Sequence, residues 1–208
     1  RPSYWRSTLY AHRDASSELA RYRAAESRAF RGLTEMEKST ISNRSVKLFT
    51  LSSIKHASRA LLRKHPKDEF TSAEKMIAKE YWDVVSDQIP DWQRARTKDV
   101  ATSQLRQEYV HAHGVALQAL ALAGAELLSR RPKQWKTDLH RLRKIDWSRS
   151  NIAIWEGRAM VHGRISKAAT NVHLAANYVK SHLDLPLSPG DLELEALLPA
   201  KKRLNTKR

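Results

Sequence analysis

The sequence predicts an all-α fold: a single compact multi-helix domain with one long central helix and an irregular segment near 145–165. Glycine and proline are scarce, at 6 and 7 in 208 residues. Long segments repeat their apolar residues at helical spacing and few alternate. Cap signals bracket several of those segments.

In chain order, residues 14–30 read as a helix rich in Ala, Glu and Arg. Residues 44–64 read as a second, with Arg44 and Lys47 in its first turn, a cap from Ser42 or Asn43, and Pro66 ending it. Thr71 and Glu74 have the spacing of a capping box, which places a third helix over 72–88, stopped near Pro90. Residues 102–130 read as the long central helix, and its apolar run from Val115 to Leu128 suits burial in the core. Pro132 fits the first turn of the next helix, to about 144. Ser166 is read as the cap of a helix to about 183, and Ser188 with Pro189 as the start of a last one to about 198. Residues 1–198 are taken as one helical region and 199–208, ending "KKRLNTKR", as a basic disordered tail.

Composition narrows the function classes. There is no cysteine, which excludes disulfides and Cys-ligated zinc. No run reaches the roughly 20 apolar residues of a membrane span, so no membrane partner is expected and the location is read as cytoplasmic. Lys and Arg number 38 against 22 Asp and Glu, a formal charge of +16. A field of that size attracts polyanions, nucleic acid first among them. The chain opens on Arg1 in "RPSYWRSTLY", which reads as the middle of a longer protein.

Two elements carry candidate DNA contacts. On the second helix, Leu51, Ile54, Ala57 and Leu61 form an apolar arc, and Ser52, Lys55, Arg59 and Arg63 form the adjoining cationic one. With Arg44 and Lys47 before them, the cations are placed to follow a phosphate backbone, and the free N–H groups of a helix start favour an anion. The same pattern also describes a capped, solvated helix face. On the helix after Ser166, Val172, Ala176, Val179 and Leu183 point inward. Lys167, Thr170, His173, Asn177, Lys180 and Ser181 lie on the other side, where Asn177 has the chemistry to read an adenine edge and the lysines to hold phosphates. Arg164 precedes that helix, and a solvent face is again the competing description. In "IDWSRSNIAIWEGR", Trp147 and Trp155 read as core anchors, and Arg149 and Arg158 as external contacts.

Signals for catalysis are poor. Glu108 and His111 have Glu-x-x-His spacing, but a carboxylate-bridged metal pair needs two copies. His111 and His113 point to different faces of a helix. "EKST" lacks the glycines of a phosphate loop. The reading is therefore a non-enzyme with no cofactor, no metal and no catalytic residues.

Three stretches carry a family resemblance: "FRGLTEMEKSTISNRSVKLFTLSSI", "IDWSRSNIAIWEGR" and "GRISKAATNVHLAANYVKSHLDLPLSP". Together they resemble the C-terminal part of the DndB family of DNA sulfur modification proteins, over most of residues 1–198. The resemblance implies a regulator of bacterial phosphorothioation, which replaces a non-bridging phosphate oxygen of DNA with sulfur. Such a regulator binds DNA, represses the modification operon and limits modification. The family's Asp-Gly-Gln-His-Arg motif, borne in an N-terminal domain, is absent here, so chemistry belonging to that region is not carried over. After "LSP" this chain reads "GDLELEALL", where family members are more acidic and glutamine-rich.

The expected function is thus a DNA-binding repressor that engages duplex DNA at the promoter of the modification operon, mainly through phosphates. The expected contacts are Arg44, Lys47, Lys55, Arg59, Arg158, Arg164, Lys167, Asn177 and Lys180. Two alternatives stay open. One is a helical module docking onto other DNA sulfur-modification proteins; the other is the non-catalytic half of a nucleotide-hydrolysing enzyme. The oligomeric state and operator are left open.

Overall fold

The computed structural model describes residues 15–200 and residue 204. The described residues are 60% helical, with two small two-stranded sheets. Of the basic tail, Pro199, Ala200 and Leu204 are described, and Leu204 packs against the core; the rest lies outside the described residues.

Helix α1, Ala15–Glu26, buries Leu19, Ala20 and Ala24. A turn through Leu33 leads to β1, Thr34–Glu35, which pairs in parallel with β2, Phe49–Thr50. That pairing moves the start of the next helix. Residues 44–50 are not its first turns: α2 is Leu51–Leu62, and Thr50 rather than Ser42 or Asn43 is its cap, accepting from the Ser53 N–H at 3.1 Å. Its far end closes on Arg63 in the left-handed conformation (φ 53°), before Pro66 is reached. The inward arc is as expected, with Ile54, Ala57 and Leu61 buried and Leu51 packed against them.

Helix α3, Ser72–Gln88, has the expected bounds. The Thr71 side chain accepts from the Glu74 N–H, and Glu74 accepts in return from the Thr71 N–H, so two otherwise unpaired donors are met by local chemistry. Pro90 does not only stop it. With no N–H to lose, Pro90 opens α4, Pro90–Arg96.

The central helix is shorter than expected. Residues 102–130 divide into α5, Thr102–Glu108, a short 3₁₀ turn at Val110–Ala112, and α6, Gly114–Arg130. Tyr109 and His113 are extended. The break has a backbone cause: the Val110 N–H donates to the Trp147 carbonyl at 2.9 Å, and the Arg149 N–H to the Glu108 carbonyl at 2.7 Å. Bonds to a distant segment replace the helical ladder there. Beyond the break, α6 is buried on almost every side and packs between α2 and a later helix, Ala169–His182. Small residues allow that. A Cβ on Gly124 would stand 2.4 Å from the Tyr81 ring, and one on Gly114 would stand 2.6 Å from the Ser53 hydroxyl.

Pro132 lies in a turn, and the following helix, α7 (Trp135–Asp138), starts later and continues as 3₁₀ through Leu139–Lys144. Residues 145–165 are irregular, as expected. They contain one helical turn, α8 (Ile152–Trp155), and a hairpin of β3 (Met160–Val161) with β4 (Arg164–Ile165). Both tryptophans there are core anchors: Trp147 stacks on Trp155 at 5.2 Å, and Trp155 meets Tyr178 edge-on at 5.3 Å.

Helix α9 is Ala169–His182, capped at Ala168 and not at Ser166. Ser166 instead donates to the Asn171 side chain at 2.7 Å, so its hydroxyl braces the approach to the helix. Val172, Ala176, Val179 and Leu183 are buried, as expected. The last helix, α10 (Pro189–Ala196), starts at Ser188 with a capping box through Asp191.

Candidate nucleic-acid interface

The stretch 39–50 does not run on as a helix because a side chain from α5 holds it. The Arg106 guanidinium donates to the carbonyls of Asn43 at 3.0 Å, Ser42 at 3.1 Å and Ser45 at 3.2 Å, and to that of Lys47. The Thr102 hydroxyl adds a bond to the Ser45 carbonyl at 2.7 Å. Arg149, from the irregular segment, donates to the Arg106 carbonyl and to the Gly163 carbonyl, each at 2.9 Å. A continuous path of hydrogen bonds therefore joins the loop 42–47, α5, Arg149 and the β3–β4 turn.

These elements enclose a cleft of about 360 Å³. Ser39, Thr40 and Asn43 form one wall, Ser103, Arg106 and Gln107 another, and Arg149 and Lys167 a third. Thr50, Ser53, His113 and Gly114 lie where α2 and α6 begin. The His113 Nε2 meets the Arg106 carbonyl at 2.8 Å. A carbonyl only accepts, so His113 carries its proton on Nε2. Burial first, then the charges of Arg149 and Arg106, lower its pKa from 6.5 to about 4, so the ring is neutral at pH 7.

Several cations elsewhere meet acids: Arg28 meets Asp87, Arg63 meets Glu126, Lys79 meets Asp83 and Arg131 meets Asp138. Among the described residues no carboxylate pairs with Arg44, Arg106, Arg149, Arg164 or Lys167. Arg106 and Arg149 are held by neutral carbonyls, which fix the guanidinium without cancelling its charge. Lys167 and Arg164 are exposed, and Arg44 is exposed directly after Asn43. The positive potential of a basic chain is concentrated where its acids are absent.

The fold distributes the expected contact residues unequally. Lys167 lines this cleft, Arg44 and Lys47 are chain neighbours of its lining residues Asn43 and Leu48, and Arg164 follows Gly163, whose carbonyl Arg149 holds; the Lys47 ammonium donates to the Gly32 carbonyl at 2.9 Å. Lys55 lines a neighbouring depression that shares Ser39 with the cleft. Arg59 lies a turn further along α2, in a shallow groove with His56, Arg63 and Lys64.

The other three are taken up inside. Arg158 is 1% exposed and forms a two-pronged ion pair with Glu195 at 2.6 and 2.8 Å. Asn177 is 0% exposed and donates to the Asp191 carbonyl at 3.2 Å. Lys180 pairs with Asp191 at 2.7 Å. On the side of α9 read as solvent-facing, Thr170 and His173 are exposed, but the stretch at Asn177 and Lys180 is covered by α10, so Asn177 has no base to reach in this fold. Arg149 is an internal brace as well as a cleft wall. Arg106 and His113 went unnoticed as cleft residues, because a guanidinium that binds carbonyls leaves no sequence signature.

Fold and site together define a helical domain with a basic cleft whose lining carries no acid. The chain belongs to the DndB family: the family model, described as DNA-sulfur modification-associated, matches residues 1–186. The protein is thus associated with DNA sulfur modification. The match stops just short of α10. No curated protein and no solved structure matches the chain. Among the described residues no helix is long and apolar enough to cross a membrane.

Proposed function

We propose that the protein is a DNA-binding regulator of DNA sulfur modification that represses its own modification operon by holding duplex DNA at the promoter. The observation that carries this reading is the set of cations without acid partners around the cleft. Lys167 lines the cleft, and Arg44 and Arg164 are exposed next to Asn43 and Gly163, whose carbonyls Arg106 and Arg149 hold. Exposed cations on rigid elements neutralise phosphates at little ordering cost, while the acids on other faces discourage binding there. Base reading by Asn177 is not part of the proposal, because its amide is committed to α10. Sequence preference on this reading comes from DNA shape or from rim side chains. The protein acts without a catalytic step of its own, in the cytoplasm, where the operon is.

The test is a titration against a duplex carrying the operon's promoter and a scrambled duplex of equal length. The reading expects promoter preference in the wild type and weakened binding to both duplexes in Arg164→Glu with Lys167→Glu. Binding to a partner sulfur-modification protein that persists at high salt, with no DNA binding, would replace it by the docking-module reading.

A further inference from the structure

We propose that the cleft is a receptor for a phosphate monoester of mononucleotide size, distinct from the rim that meets duplex DNA. The inference goes beyond the DNA reading, and only its consequence for DNA rests on it. A duplex presents its phosphates on a convex surface, so it meets Arg44, Arg164 and Lys167 at the rim. It does not reach the groups set between the walls.

The lining groups form a receiving set, with Ser39 and Thr40 exposed and Ser103, Arg149 and His113 deeper. The hydroxyls of Ser39, Thr40 and Ser103 have no hydrogen-bond partner among the described residues. Arg149 spends Nη1 and Nη2 on one carbonyl each, which leaves further N–H groups on the same guanidinium. Because His113 donates through Nε2, its Nδ1 is left as an acceptor. The cleft is thus rich in donors, has positive charge that no acid cancels, and offers a neutral acceptor. Ile41 and Leu48 supply an apolar wall beside them.

Size and charge select the ligand class. About 360 Å³ lies at the low end of small-molecule sites, which run from about 300 to 1,000 Å³. That suits one nucleotide. A phosphate monoester carries up to two negative charges near pH 7 and presents terminal oxygens to several donors at once. A diester inside a strand carries one charge and is flanked by sugars on both sides. Occupancy would neutralise the cations of the cleft, so a bound monoester lowers affinity for duplex DNA.

The shared chemistry has two sources, a free mononucleotide or the 5′-phosphate of a strand end, and calorimetry with chosen probes separates them. The probes are AMP, adenosine, inorganic phosphate, and tetrathymidylate with and without a 5′-phosphate. AMP is expected to bind and to raise the melting temperature, and adenosine is expected to do neither. If phosphorylated tetrathymidylate binds at least about tenfold more tightly than AMP, the source is a strand end. If it binds no better, the source is a free nucleotide.

Ser103→Glu puts a carboxylate into the cleft at the second position of α5, where an acid suits the helix. It should weaken AMP binding at least tenfold, and Gln107→Glu, on the exposed side of the same wall, should act in the same direction. Failure of both AMP and inorganic phosphate to bind, while duplex DNA binds normally, overturns the inference and leaves the DNA reading intact. AMP binding indifferent to both substitutions also overturns it. AMP binding that Ser103→Glu abolishes, in a chain that does not bind duplex, upholds the inference and removes the DNA reading.

Discussion

Arg149 donates to the main-chain carbonyl of Arg106 at 2.9 Å, and the Arg106 guanidinium in turn closes on the carbonyls of residues 42–47. One arginine therefore positions the backbone of the other, and the second shapes the loop. Both keep their charge because every partner is neutral. The loop that reads in sequence as a phosphate-holding helix start is instead a strap tied from beneath.

That strap should depend on the planar fork of Arg106. Arg106→Lys keeps the charge and loses the simultaneous bonds to several carbonyls. We expect a loss of about 1–3 kcal/mol in urea unfolding, in the range for hydrogen bonds to a charged group. Faster amide exchange should be confined to the loop 42–48.

His113 should make the protein acid-sensitive. Its folded-state pKa of about 4 lies below the unfolded value of 6.5. Between those values the unfolded chain takes up a proton and the folded chain does not, so this contribution to stability is complete above pH 6.5 and is lost as pH falls toward 4. The charged groups bearing on the ring are Arg106 from α5, Arg149 from the irregular segment and His111 from the 3₁₀ turn, and all disfavour its protonation. The difference corresponds to at most about 3 kcal/mol. In melting curves between pH 7 and 4, His113→Gln should flatten the pH dependence.

The Arg158–Glu195 pair should be worth little as a pair and much when broken. With side-chain exposures of 1% and 6%, neither charge has water to fall back on. Glu195→Gln leaves a buried guanidinium unpaired and should cost about 3–5 kcal/mol in chemical denaturation. Replacing both with Met and Leu should recover most of that loss.

Gly124 is set by contact rather than by backbone conformation. Gly124→Ala would drive a methyl into the Tyr81 ring, whose hydroxyl is already fixed to the Leu120 carbonyl at 2.6 Å. Overpacking of this kind costs about 1–3 kcal/mol, readable as a lowered midpoint of urea unfolding.

What could be read from sequence was what local chemistry decides. The Thr71–Glu74 box and the Ser188–Pro189 start place helix ends within a turn's reach, and the inward stripe of α9 follows from spacing alone. What could not be read depends on partners distant in sequence. The break at Tyr109 needs the backbone of Trp147 and Arg149. The late start of α2 needs both β1 and Arg106. Asn177 and Lys180 look outward until α10 is placed over them. Of the site, the loop and Lys167 were legible as cations near hydroxyls, whereas their meeting across Arg106 and Arg149 was not.

The salt dependence of duplex binding tests the central claim most directly. If Arg44, Lys47, Arg164 and Lys167 neutralise phosphates, log Kobs should fall against log salt with a slope of about −3 to −4. The triple variant Arg44→Glu, Arg164→Glu, Lys167→Glu should make that slope shallower by about 3. A control that reverses Arg28 and Lys136, which pair with Asp87 and Glu80 away from the cleft, should leave it nearly unchanged. Equal slopes in the wild type and the triple variant would contradict the account.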